Sequence, residues 1–203
     1  MATNYLTVAR IGAALAIAIL VSAVGLTWLA QREGGKLPAM AGIGGSFALV
    51  DHHGKSVTER DYLGKPMLIF FGFTNCPDVC PTTLFELTAR LNELGAEADR
   101  LNVVFVTVDP ERDTPQQLAP YLSSFDARIT GLSGTPENVS AAMAGYRVYA
   151  RKVPLDGGGY TMDHTATIYM MNSSGQFVGL INYQEPETTT RAKLRRLLSF
   201  GSR

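Results

Sequence analysis

"PMLIFFGFTNCPDVCPTTLFELTARL" (Pro66 to Leu91) changes character twice. It opens as a continuous apolar run, Pro66 to Phe73, the pattern of a central strand buried on both faces. It closes with Leu84, Leu87 and Leu91, followed by Leu94, at the three- and four-residue spacing of one apolar helix face. Between them lie the only two cysteines of the 203-residue chain, Cys76 and Cys80, each followed by a proline. Pro81 suits the first turn of a helix, where a missing N–H is no loss. The stretch therefore reads as strand, short loop, helix, with both thiols in or beside the loop.

The pattern repeats outward. "SFALVD" from Ser46 reads as a strand, and "DHHGK" after it as a turn closed by Gly54. "NVVFVTVD" (Asn102 to Asp109) is a second buried strand. Thr114-Pro115-Gln116-Gln117 has the form of a capping box and starts a helix towards Phe125. Thr135-Pro136 does the same for a helix ending near Tyr146. "HTATIYMM" and "QFVGLINY" are strands joined by Asn172 to Gly175 as a hairpin, and a last helix, Glu187 to Ser199, packs through Leu194, Leu197 and Leu198. Strand–helix–strand–helix followed by hairpin–helix is the order of a thioredoxin-like α/β sandwich. In such sheets chemistry gathers at the C-terminal strand ends, where the cysteine loop falls.

The chain before this domain is of another kind. Residues 1–10 form a short tail. Ile11 to Ala30 carry no charge and are bracketed by Arg10 and Arg32. As a helix they would extend about 30 Å, the thickness of a bilayer's hydrocarbon core. Trp28 lies near one end, where aromatic rings favour the interface. A cleaved signal peptide would have a shorter apolar run. Its small-x-small site is matched only inside the run, at Ala23-Val24-Gly25, or well downstream, at Ala39-Met40-Ala41. The reading is a retained transmembrane anchor, residues 11–30. A glycine-rich tether, residues 31–45, leads to the domain, residues 46–203. Net charge is zero, so neither nucleic acid nor an anionic surface is implied as a partner.

Three chemistries compete for the cysteine pair. A helix N-terminus favours thiolate over thiol, which suits both disulfide exchange and metal binding. A disulfide across so short a loop would add little stability, which makes it a poor staple but an easily switched bond. The commoner redox motif has two residues between its cysteines and this one has three. That spacing leaves room for an ion. Two thiolates are too few for a closed zinc site, whereas a soft cation such as Cu(I) accepts two or three ligands.

A third ligand should come from elsewhere, and the chain has three histidines. His52 and His53 stand side by side in a turn and read as exposed turn residues. His164 opens the strand "HTATIYMM" after "DGGGYTMD" (Asp156 to Asp163), a segment with freedom to move, and the sandwich topology brings that strand's start beside the cysteine loop. The residues alone leave His164 open between a surface histidine and a ligand. Asp163 is a candidate to orient its imidazole or to cap a turn. Asp109, in "TVDPERDTP" (Thr107 to Pro115), ends a central strand on the same side. It reads as an approach to the cysteines or as an Asp-Pro turn partnered by Arg112.

"FFGFTNCPDVCPTTL", "TVDPERDTP" and "YTMDHTATIY", with "GLSGTPENV" between them, strongly resemble the Sco/SenC family of copper-binding, thioredoxin-like assembly factors for cytochrome c oxidase. The resemblance runs from about Ser46 to Ser199 and shows no departure at the ligand positions. It implies that Cys76, Cys80 and His164 bind copper, as Cu(I) and also Cu(II). It implies delivery to, or thiol reduction of, the dinuclear copper site of oxidase subunit II or a similar copper-site protein, with an upstream copper donor. Family members are held by one N-terminal helix in the bacterial plasma membrane or mitochondrial inner membrane, with the domain on the periplasmic or intermembrane-space side.

Two functions share the dithiol: a metallochaperone, and a thiol–disulfide oxidoreductase acting on the target's cysteines, with Cys76 and Cys80 as its redox pair. A peroxide-reducing role, suggested by "VCPTT", meets an obstacle. Pro77 stands three residues before Cys80, where peroxiredoxins carry a hydroxyl side chain.

Overall fold

The computed structural model describes residues 42–200, together with Val21, Ser22 and Gly25. The chain divides into two units, and the fold set out below is that of the second, Ala39–Arg203. The expected tail, most of the apolar span and most of the tether lie outside the described residues. Among the described residues, no helix is long and apolar enough to cross a membrane.

The strands are β1 (Ala48–Asp51), β2 (Ser56–Thr58), β3 (Met67–Gly72), β4 (Asn102–Thr107), β5 (Ile129–Ser133), β6 (Ala150–Pro154), β7 (Tyr160–His164), β8 (Thr167–Met171) and β9 (Phe177–Asn182). The α-helices are α1 (Val79–Leu94), α2 (Pro115–Leu122), α3 (Pro136–Gly145) and α4 (Glu187–Ser199). Seven strands form one mixed sheet in the order β2-β1-β5-β4-β3-β8-β9, and β6 and β7 form a separate two-stranded ribbon.

Strands β3, β4 and β5 are parallel, while β8 runs antiparallel to β3. The start of β8 therefore meets the end of β3, with Phe70 opposite Ile168. Every residue of β3 is buried, as its unbroken apolar run requires. Neighbouring strand residues point to opposite faces. Phe70 packs on Phe105, and Phe105 on Tyr121 of α2, on one side. Phe71 packs on Tyr146 and Tyr169 on the other. This is the thioredoxin-like sandwich expected from the element order.

Local expectations divide. Thr135 caps α3, its hydroxyl accepting the N–H of Asn138 at 3.2 Å. Thr114 makes no such bond, so the capping box expected before α2 does not form. Proline at the first helical position nonetheless starts that helix. The hairpin at Asn172 to Gly175 is present, closed by the Asn172 side chain, which accepts N–H groups from Ser174 and Gln176.

The ribbon changes the reading of two segments. His164 does not open the strand that enters the sheet; it ends β7, and β8 begins at Thr167. Tyr160 to Asp163 belong to β7 as well, in register with β6 from Ala150↔His164 to Pro154↔Tyr160. Of Asp156 to Asp163, only Asp156 to Gly159 lie outside the ribbon's strands. The physical reason is a ladder of backbone hydrogen bonds in residues too polar to announce a strand.

Candidate metal centre

Loop and helix build the sulfur pair together. Cys80 is the second residue of α1, so its N–H has no partner within the helix. Asp78, at the N-cap, does not bond the helix N–H groups; its carboxylate accepts the Thr82 hydroxyl instead. The Cys76 sulfur takes the role, accepting the N–H of Cys80 at 3.4 Å. Both cysteines are free thiols, Cys76 half-buried and Cys80 with none of its surface exposed.

The pair divides its proton unequally. The S–H of Cys80 hydrogen-bonds to Cys76 and holds the Cys76 pKa down to about 3 against the opposing effect of burial. The N–H groups of Cys80 and Asp78 add to this lowering. Cys80 is pushed strongly upward by the same bond and by burial. Cys76 is the thiolate of the reduced pair and Cys80 the thiol.

His164 arrives from the ribbon. Its Nδ1 lies 2.9 Å from the carbonyl oxygen of Thr165. A carbonyl only accepts, so Nδ1 carries the hydrogen and Nε2 faces the sulfurs, 3.5 Å from Cys80 Sγ. The ring packs edge-on against Phe73, centroids 5.6 Å apart, and against Phe70 at 6.5 Å. The ligand atoms of Cys76, Cys80 and His164 all lie within 4.8 Å of one another, and no other such group occurs among the described residues. Two soft sulfurs and one nitrogen, with no carboxylate among them, match Cu(I) better than a hard cation or a four-ligand zinc site.

The two aspartates do other work. Asp163 is exposed and pairs with Arg151 across the ribbon at 3.6 Å. Thr165, not Asp163, orients the imidazole, because Asp163 and His164 are adjacent in a strand and point to opposite faces. Asp109 is buried but stays outside the metal group. It pairs with Arg112, as the turn reading expected, and accepts the Tyr160 hydroxyl at 2.8 Å. Arg112 lies over the Tyr160 ring, 3.9 Å from its centre, and donates to the Tyr160 carbonyl. Asp109 thus ties the ribbon to the end of β4. His53 is exposed as expected, but His52 is half-buried, its Nδ1 accepting the N–H of Gly131 at 3.0 Å. Burial, then His53, lowers its pKa.

Asp113, not among the candidates above, holds the cysteine loop. It is fully buried and accepts the Thr74 N–H at 2.9 Å, the Thr74 hydroxyl at 2.5 Å and the Thr107 hydroxyl at 2.8 Å. Thr74 is 39 residues from Asp113 in the chain. The only signal was a second aspartate four residues after Asp109, which pointed to no partner.

The SCO1/SenC family model matches residues 36–199. SCO1 of Saccharomyces cerevisiae is 43% identical over 148 residues, 70% of this chain and 50% of that protein. A SCO2 homologue of Danio rerio is 40% identical over 154 residues, 74% of this chain and 55% of its own. The chain thus spans about half the length of these relatives. The copper-bound ScoI structure of Bradyrhizobium japonicum superposes with a TM-score of 0.72 at 52% identity, covering 76% of this chain and 99% of that one. Copper-bound yeast Sco1 gives 0.71 at 40%, covering 77% and 88%. The family model takes in both cysteines, His164 and both aspartates, and the chain belongs to the SCO1/SenC family.

Proposed function

We propose that this protein is a copper chaperone that holds Cu(I) between Cys76, Cys80 and His164 and passes it to the copper site of an assembling cytochrome c oxidase. The observation that carries the reading is the convergence of three ligand atoms from a loop, a helix start and a separate ribbon to within 4.8 Å. Two solved relatives, 52% and 40% identical, contain copper. The oxidase as destination, Cu(II) as a second bound form and an upstream donor follow from the family resemblance. So does anchoring through residues 11–30 and the tether at 31–45, with the domain at 46–203 facing the periplasm or intermembrane space.

Cys76, the half-buried thiolate, is the sulfur an incoming ligand reaches first, and Cys80 is the last to let go. Transfer by ligand exchange then needs no bare ion in solution. Copper binding requires deprotonated sulfur, and Cys76 already supplies it. The test is anaerobic Cu(I) titration of the reduced full chain with Cys76, Cys80 and His164 replaced in turn. One ion bound by the parent and weakened by each replacement is the expected result. Unaltered affinity in the His164→Ala chain would remove the third ligand from the scheme.

A second reading is favoured by the free, unequally protonated pair. The Cys76 thiolate attacks a disulfide of the target, forming a mixed disulfide and releasing one target thiolate. Cys80, losing its proton, then displaces the second, leaving a Cys76–Cys80 disulfide and a reduced target. A Cys80→Ser chain would trap the mixed disulfide, with no need for His164.

A further inference from the structure

We propose that Gly72 is a positioning residue of this site: its bare α-carbon is the seat that fixes where the Cys80 sulfur lies. The inference rests on the three-ligand reading above. Gly72 ends β3, opposite Thr107, and its carbonyl accepts the N–H of Val108 at 2.8 Å. A methyl group placed on Gly72 would lie 2.9 Å from Cys80 Sγ, 2.8 Å from Cε2 of Phe105 and 3.3 Å from its Cζ. Carbon atoms rest comfortably about 3.5–4.0 Å apart.

None of these groups can move away into solvent. Cys80 and Phe105 have no exposed surface, and the Gly72 backbone is held by β4. Gly72 is not among the glycines with positive φ, so the demand is for space and not for conformational freedom. The sulfur thus lies against Gly72 and also 3.5 Å from Nε2 of His164. Any side chain at position 72 displaces Sγ from the position where it meets the imidazole. This gives the glycine that interrupts "FFGF" a role in the metal site beyond the strand.

The test uses the reduced full chain under anaerobic conditions, with Cu(I) competed against a chromogenic chelator. Gly72→Ala should bind on the order of 10–100-fold more weakly, the usual cost of disturbing a residue that orients a ligand. Overpacking against Phe105 will also lower stability, so Gly72→Ala/Phe105→Leu is measured beside it. Removing the ring should restore thermal stability while leaving copper affinity low, because the sulfur contact remains. Unchanged affinity in Gly72→Ala, or recovery of affinity together with stability in the double variant, overturns the proposal. Failure of the parent chain to bind Cu(I) would instead remove the three-ligand reading. The seat is then read from alkylation of Cys80 in a Cys76→Ser chain. There Gly72→Ala should speed the reaction severalfold, and an unchanged rate overturns the seat as well.

Discussion

Cys80 hangs from the first turn of α1 over the centre of the seven-stranded sheet, and its neighbours Phe70, Phe73 and Phe105 are as buried as it is. His164 ends one strand of a two-stranded ribbon whose residues are all exposed or half-exposed. The sulfur arm is held by the core, where each large apolar side chain contributes about 1.5–3 kcal/mol. The imidazole arm is tied back by a few polar contacts, each worth about 0.5–1.5 kcal/mol, or up to about 3 where a charge takes part. Local opening is cheapest where apolar contacts are few. A site built this way keeps its sulfurs in register while the nitrogen arm can open, an asymmetry suited to loading and release.

The comparison is tested most severely by removing ligands from each side. Losing an outer partner of a metal ligand costs roughly 10–100-fold in affinity, so Cys80→Ser should exceed that range. His164→Ala should fall within it and leave the Cys76 thiolate reactive. Both are read by Cu(I) competition, with alkylation as the control. Equal losses from the two substitutions would mean that the arms are not unequal.

The tie between ribbon and sheet is tested by Tyr160→Phe. It removes the hydroxyl that bonds buried Asp109 and should cost about 1.5–3 kcal/mol in denaturant unfolding. Copper should dissociate severalfold faster while alkylation of Cys76 is unchanged. A loss of stability with copper release unaffected would show that the clamp does not reach His164.

On the sulfur side, pH should do little to reactivity. With its pKa held near 3, Cys76 remains thiolate down the scale. Its alkylation rate should change by less than about twofold between pH 8 and pH 5, where an ordinary thiol, titrating near 8.5, falls steeply. Stability follows the same proton. The unfolded chain protonates Cys76 near 9 and the folded chain near 3, so the folded state binds fewer protons between those values. The contribution is full above about 9 and is lost as pH falls towards about 3. Cys80, pushed upward, stays a thiol throughout that window. A reactivity profile that drops tenfold per pH unit below 8 would assign the thiolate elsewhere.

The same two regions explain what the sequence disclosed. The strand run of β3, the leucine spacing of α1 and Pro81 are local signals, and they place the cysteine loop at a strand's end without any tertiary knowledge. β6 and β7 carry "ARKVP" and "YTMDH", in which apolar periodicity is weak because the ribbon buries little. His164 therefore reads as the start of the strand after it. Thr165 acts through its backbone carbonyl, which no side-chain pattern encodes. Asp113 and Tyr160 act across long sequence separations, and one sequence contains no record of such contacts. Ligand types were legible; the groups that aim them were not.

Asp163 supplies the finest test, because adjacency to His164 makes it a candidate to orient the ring. Its side chain is more than half exposed, as is that of Arg151, and their ion pair spans 3.6 Å. Such surface pairs contribute about 0–1 kcal/mol. In a strand the carboxylate of Asp163 and the imidazole of His164 leave the backbone in opposite directions, and the imidazole N–H is already taken by the Thr165 carbonyl. Asp163→Ala should therefore bind Cu(I) within about twofold of the parent chain and unfold within about 1 kcal/mol of it. A tenfold loss of copper affinity would mean that the carboxylate reaches the ring in solution. The ribbon would then have to twist enough to bring both side chains to one face, and the orientation of His164 would no longer belong to its own backbone.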